Sequence, residues 1–183
     1  MKMLVDRAGN AAQPFDLDAL KAHLRVEDDS EDAAIQIIGR AAAAEIEQFA
    51  QVALLTQTIT VTIFDPSPTI GGGLRLPVGP VASDATLTVT IDGAALTAFD
   101  FAAGPRPYLR WQDEYFDLTP DQIVIEYEAG FGAAATDVPS DLAQALMDQA
   151  ALHYDGRSPM DAKSLTTSPH MARIGARYRG VQL

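Results

Sequence analysis

The stretch AAAAEIEQFAQVALLTQTITVTIF, residues 41–64, decides the fold, because the spacing of its apolar residues changes partway along. Leading into it, Ile35, Ile38, Ala42, Ile46, Phe49 and Ala53 recur at steps of three and four, the period of a helix with one apolar stripe. From Thr56 the period drops to two. Thr58, Thr60 and Thr62 alternate with Ile59, Val61 and Ile63, as in a strand with one buried face. The spacing predicts a long helix over about 31–53 running into a β-region over about 56–128. Ala41 to Ala44 form a narrow section of that helix, which another helix could approach closely.

Working outward, residues 16–25 predict a short helix, with Phe15, Leu17, Leu20 and Leu24 along one side and Pro14 just before it. The acidic turn VEDDSED (26–32) offers Asp29 or Ser30 as the cap of the long helix and places carboxylates where the helix dipole favours them. Downstream, Pro66, Pro68 and Gly71-Gly72-Gly73 form a loop. Strands follow at 74–77 and 86–91, and Asp92-Gly93 is a hairpin turn signal leading into a return strand near 94–101. Segments 108–111 and 122–128 complete an expected sheet of five or six mainly antiparallel strands. Pro139-Ser140 opens another helix, over about 139–154, that Gly156 ends.

The expected fold class is α+β: long helices packed side by side, a mainly antiparallel β-sheet and hairpin region inserted between them, and an extended C-terminal tail. The expected division is one domain over 1–156 and a basic tail over 157–183 that orders on a partner.

With 183 residues, 48% of them hydrophobic and 21% charged, the chain can bury a real core, and no apolar run approaches a membrane span. Cysteine is absent, which removes disulfides, thiolate catalysis and cysteine metal sites together. The N-terminus lacks a basic-then-apolar leader, so a cytosolic origin is expected. The net charge of −12 is unevenly placed. Residues 26–156 hold 21 Asp/Glu against 4 Lys/Arg, whereas 157–183 hold 5 basic residues against 1 acidic. An acidic body opposes phosphate binding, so a DNA-binding module working through the tail is the weaker alternative.

Catalytic signatures are missing. His23, His153 and His170 lie on separate segments without metal-ligand spacing, and the acidic run 27–32 lacks the glycine and alternation of a calcium loop. Gly71-Gly72-Gly73 is not followed by a lysine or a helix, and no serine sits in a nucleophile elbow. The expectation is therefore no catalytic, cofactor or metal site, and a protein that works by fitting into an assembly.

The ordered set LDALKAHLRVEDDSEDAAI (17–35), ALLTQTITVTI (53–63), LRLPVGPV (74–81), IVIEYEAGFG (123–132), VPSDLAQALMDQAALHY (138–154) and RIGARYRG (173–180) resembles the head-tail connector (adaptor, or head-completion) family of long-tailed bacteriophages and gene transfer agents. The loop 101–117 is less typical of it. The resemblance implies a structural protein made in the bacterial cytoplasm and placed in the neck of a virion or gene transfer agent particle. It implies a homo-oligomeric ring, commonly of twelve subunits, that sits under the portal protein, extends the DNA channel and docks the next stopper or tail protein. A stopper or tail-completion protein of the same assembly is the nearest alternative. DNA would pass without specific binding, past an acidic wall for which Asp28, Asp29, Glu31, Asp32, Glu45 and Glu47 are candidates. His170, Arg173, Ile174, Arg177, Tyr178 and Arg179 would form the portal interface, mixing arginine with apolar anchors. On this reading, removing 170–183 leaves the fold intact and abolishes attachment to portal-bearing heads.

Overall fold

The computed structural model describes residues 2–9, 11–66, 72–156 and 167–179. Along the chain run β1 (Lys2–Arg7), α1 (Leu17–Leu24), α2 (Asp32–Ala50), β2 (Gln57–Phe64), β3 (Leu74–Arg75), β4 (Leu87–Ile91), β5 (Ala94–Leu96), β6 (Phe99–Ala102), β7 (Tyr108–Trp111), α3 (Asp113–Phe116), β8 (Gln122–Ala129), α4 (Ser140–Asp155) and α5 (Pro169–Tyr178). The chain is α+β. Residues 67–71 of the expected glycine loop and the segment 157–166 lie outside the described residues.

Two compact units divide these elements, and the division differs from the one expected from sequence. Residues 1–10 and 56–130 build a β-rich unit, and residues 11–55 and 131–183 a helical one. Of the residues assigned to a separate tail, the described 167–179 fall within the helical unit.

In the β-rich unit, five antiparallel strands pair in the order β1-β2-β8-β4-β5. The alternation seen in 58–63 does what its period demands. Val61 lies opposite Val5 and Ile125, and Ile125 opposite Val89, so one row of β-branched side chains crosses the sheet. Ile59, Val61, Ile63, Ile123 and Ile125 are fully buried on that face. Asp92 and Gly93 turn the β4–β5 hairpin with φ of 49° and 82°, the positive pair that this two-residue turn requires. The expected return strand 94–101 breaks instead. β5 stays in the first sheet, while β6 joins β7 and β3 in a second, three-stranded sheet with Phe101 and Leu74 both opposite Leu109. Strand β1 was not anticipated.

In the helical unit, Asp16 caps α1 by accepting from the Ala19 amide at 2.8 Å. Helix α2 is preceded by a single 3-10 turn, Asp29–Glu31, and ends at Ala50, where Gln51 takes the left-handed conformation with φ 57°. It is three residues shorter than predicted at its C-terminal end. The core joins Leu20 of α1, Ile35, Ala42 and Ile46 of α2, Leu142 and Leu146 of α4, and Met171 and Ile174 of α5. Gly39 lets the chain approach closely: a Cβ there would lie 2.5 Å from Cζ of Phe15.

Helix α5 corrects the picture of an extended tail. Ser168 accepts from the Met171 amide at 2.9 Å and Pro169 occupies the first helical turn, a strong start signal. Met171 and Ile174 are then 3% and 2% exposed. A deletion of 170–183 would remove both from the core and cannot be neutral to the fold.

Candidate interaction surfaces

The six proposed portal residues all lie on α5 or just beyond it, but the helix sorts them by direction. Ile174 is buried in its own unit and is withdrawn as an anchor for another protein. His170 Nδ1 lies 2.5 Å from Oδ2 of Asp148, whose Oδ1 lies 3.3 Å from Nε2 of His23. The Tyr178 hydroxyl donates to Oδ1 of Asp141 at 2.9 Å, and Arg177 pairs with the other oxygen of the same carboxylate. Burial, followed by that hydrogen bond to Asp141, pushes the Tyr178 phenol pKa up. Its ring meets Phe131 edge-on at 6.1 Å. Arg179 sits 5.9 Å from the centre of the Phe49 ring. The outward side of α5 is therefore Arg173, Arg177 and Arg179, all exposed.

Carboxylates expected along a channel wall prove to be occupied within the chain. Asp28 caps the 3-10 turn, accepting from the Ser30 amide at 2.8 Å; these bonds hold its carboxyl below the usual range. Asp29 and Asp32 both grip Lys21 Nζ, at 2.5 and 2.7 Å. The hydrogen bond to Asp29, then that to Asp32, raises the Lys21 pKa above the ordinary lysine range. Glu31 accepts from the Tyr154 hydroxyl at 2.6 Å.

Glu45 and Glu47 stand near the far end of α2, about 20–22 Å along the helix from Asp32 at ~1.5 Å per residue. Glu45 Oε2 accepts from Gln149 at 2.7 Å and lies 3.0 Å from His153 Nε2, while Glu47 accepts from the Leu54 amide at 2.7 Å. Two residues apart on a helix, they point to different sides. The six carboxylates thus form no single cluster, and of them Asp28 and Asp29 are exposed.

The same bonds explain what these residues do: they staple helices. Asp148 of α4 links α1 to α5, Glu45 of α2 holds α4, and the Gln149 side chain accepts from the buried Ser168 amide at 2.8 Å where α5 begins. Among the described residues no group of three or more His, Asp or Glu is placed to hold a metal ion, and no helix is long and apolar enough to cross a membrane.

A surface that sequence reading left unassigned lies between β7 and β8. The short helix α3 leaves Phe116 53% exposed and the following Leu118 42% exposed. Its signal was available in QDEYFDLTPD (112–121), where apolar residues sit among four acids in a loop.

Comparison with known proteins gives a consistent answer. Residues 15–91 match the family model of phage gp6-like head-tail connector proteins. No curated protein matches the chain. Among solved structures, a chain from the virion of a native gene transfer agent particle is 25% identical, with a TM-score of 0.77 over 98% of this chain and 97% of that one. A chain from the neck of a native gene transfer agent particle, computed with C12 symmetry, is 25% identical with a TM-score of 0.69 and the same coverage. One from the neck of an empty particle, computed with C6 symmetry, shares the fold at 23% identity and a TM-score of 0.74.

Proposed function

We infer that a chain with the sequence pattern of gp6-like head-tail connectors and the fold of gene transfer agent neck chains is itself a head-tail connector, a structural protein of the particle neck. One observation carries the reading. The match to the virion chain runs end to end, 98% of one chain on 97% of the other, so it includes both units and not a shared helix pair alone. The relatives are structural neck proteins, and the role assigned here is assembly, not catalysis.

The symmetric necks of the related particles support a ring of copies, and the C12 case supports twelve. In such a ring the acidic body lets DNA pass without holding it, because affinity for phosphates comes from Lys and Arg. Asp28 and Asp29, exposed on the turn before α2 even while one caps that turn and the other pairs with Lys21, are the carboxylates that would face a channel. The portal protein is met by the outward side of α5 through Arg173, Arg177 and Arg179, and the next stopper or tail protein docks on the other side of the ring. The particle is a phage or a gene transfer agent.

Electron microscopy of the purified protein with and without its portal tests the reading. The expected result is a closed ring of fixed symmetry coaxial with the portal. A protein that stays monomeric and unattached in both samples overturns it.

A further inference from the structure

Of the six large apolar side chains left exposed among the described residues, Phe116 and Leu118 lie two positions apart. They are held on a rigid base. Trp111 and Tyr115 stack with centroids 4.2 Å apart and planes 8° from parallel, and Phe116 meets Tyr115 edge-on at 5.7 Å. The backbone locks the same turn: Tyr115 N donates to Gln112 O at 3.0 Å, and Leu118 N to Tyr115 O at 3.1 Å. The Gln112 side chain donates to Asp100 of β6 at 2.9 Å. An aromatic knob ordered this way carries little further entropy cost on binding.

Its rim is acidic. Asp113, Glu114, Asp117 and Asp121 are all exposed, and residues 112–121 contain no Lys or Arg. The segment also lies beyond residues 15–91, the part that matches the connector family model. Partner-specific surfaces belong on loops of this kind, carried by a scaffold that relatives share.

We propose that the 112–121 knob is the docking surface for the downstream neck protein, seated through Phe116 and Leu118 in an apolar socket rimmed by Lys and Arg. This rests on the head-tail connector reading and names the contact that reading leaves open. Charge selects the occupant. DNA is repelled by four carboxylates. A second copy meets its neighbours in the ring, but over residues 26–156 its 21 acids against 4 bases offer this knob no Lys or Arg rim, and its basic surface is the outward side of α5. The portal is assigned to the basic side of α5, a surface of opposite sign.

The test is to produce particles carrying the double variant Phe116→Ser/Leu118→Ser, with Asp113→Lys/Glu114→Lys/Asp117→Lys as a second variant that leaves the apolar pair in place. The carboxylates are exposed, so the Lys variant should melt like the wild type; the Ser pair also gives up the edge-on Phe116–Tyr115 contact, so a melting point lower by a few degrees is expected of it. The expected result is heads that carry the connector ring while tailed particles fall by about tenfold or more, as for loss of central interface anchors. Normal tailing by both variants overturns the proposal. So does loss of the ring from the heads by a variant that melts normally, which would make the knob a contact with another copy or with the portal. Absence of the wild-type protein from necks overturns the connector reading itself, and the wild-type control reports that separately.

Discussion

Substituting Ile174→Ala tests the one place where sequence and structure disagree most. If residues 170–183 were a free tail with Ile174 waiting for a partner, the change would leave stability unaltered. In the structure Ile174 is 2% exposed and packed in the helical core. The substitution removes three carbons, worth about 2.4 kcal/mol at ~0.8 kcal/mol per buried methylene. A residual cavity of about 50 Å³ adds about 1 kcal/mol at ~24 cal/mol per Å³. The expected loss is therefore about 3 kcal/mol, or a drop in Tm of about 6–12 °C for a chain of this size. Urea unfolding followed by far-UV circular dichroism reads the helices, while the fluorescence of Trp111, the single tryptophan, reads the β-rich unit. Arg173→Ala, on the exposed side of the same helix, is the control. Equal stability of both variants, within about 0.5 kcal/mol of wild type, would refute the packing of α5.

Three further outcomes follow from other contacts. Tyr127→Phe removes a hydroxyl that donates to Val78 O at 3.1 Å and accepts from Val78 N at 3.3 Å in the buried β-rich unit; urea titration should show a loss of about 1–3 kcal/mol, and no change would mean that water replaces the bond. Gly39→Ala gains about 1 kcal/mol of helix propensity but drives a methyl into the buried Phe15 ring, so overpacking should win by lowering Tm, and a raised Tm would show that the ring moves away freely. Lys21→Met should lower Tm at neutral pH. Because the folded-state pKa of Lys21 is raised, its contribution is complete below the ordinary value of 10.5 and is lost only as pH climbs through the higher folded value. A gap between wild type and variant that closes as pH is raised from neutral, well before that range is reached, contradicts the Asp29–Lys21–Asp32 bridge.

The elements written in strong local signals were legible: the helix-to-strand switch in 41–64, the short helix α1, the Asp92-Gly93 turn and the start of α4. The cap expected for α2 at Asp29 or Ser30 was not, because a 3-10 turn capped by Asp28 intervenes and Glu31 precedes α2 without a side-chain cap bond. Strand β1 was missed because both faces of KMLVDR stay partly exposed, so no clean alternation marks it. The second sheet was missed because a period of two says that a segment is a strand but not which strand it pairs with; β6 and β7 pair with each other and β3, away from the hairpin that precedes them. For α5 the signals were present: Ser168-Pro169, then Met171, Ile174 and Tyr178 at helical spacing. The arginines between them drew the reading toward a solvated tail. The acidic residues show a different limit. Their charge is visible in the sequence, but Glu31 meets Tyr154 across 123 positions and Glu45 meets His153 across 108, and only the fold brings such partners together.

The interleaving of the two units has a consequence during synthesis. Strand β1 emerges before the other elements described but must wait for β2, its one neighbour in the sheet among the described residues, which follows both α1 and α2. The first helices in turn wait for α4 and α5, more than 80 residues later, before their apolar sides are covered. Closing such long loops is slow compared with local helix formation. Neither unit can finish while only the first half of the polypeptide exists, so a prematurely terminated product lacks the packed helices that a ring would require. In the proposed connector role, incomplete chains would be kept out of the assembled ring, where one defective subunit breaks the symmetry of all.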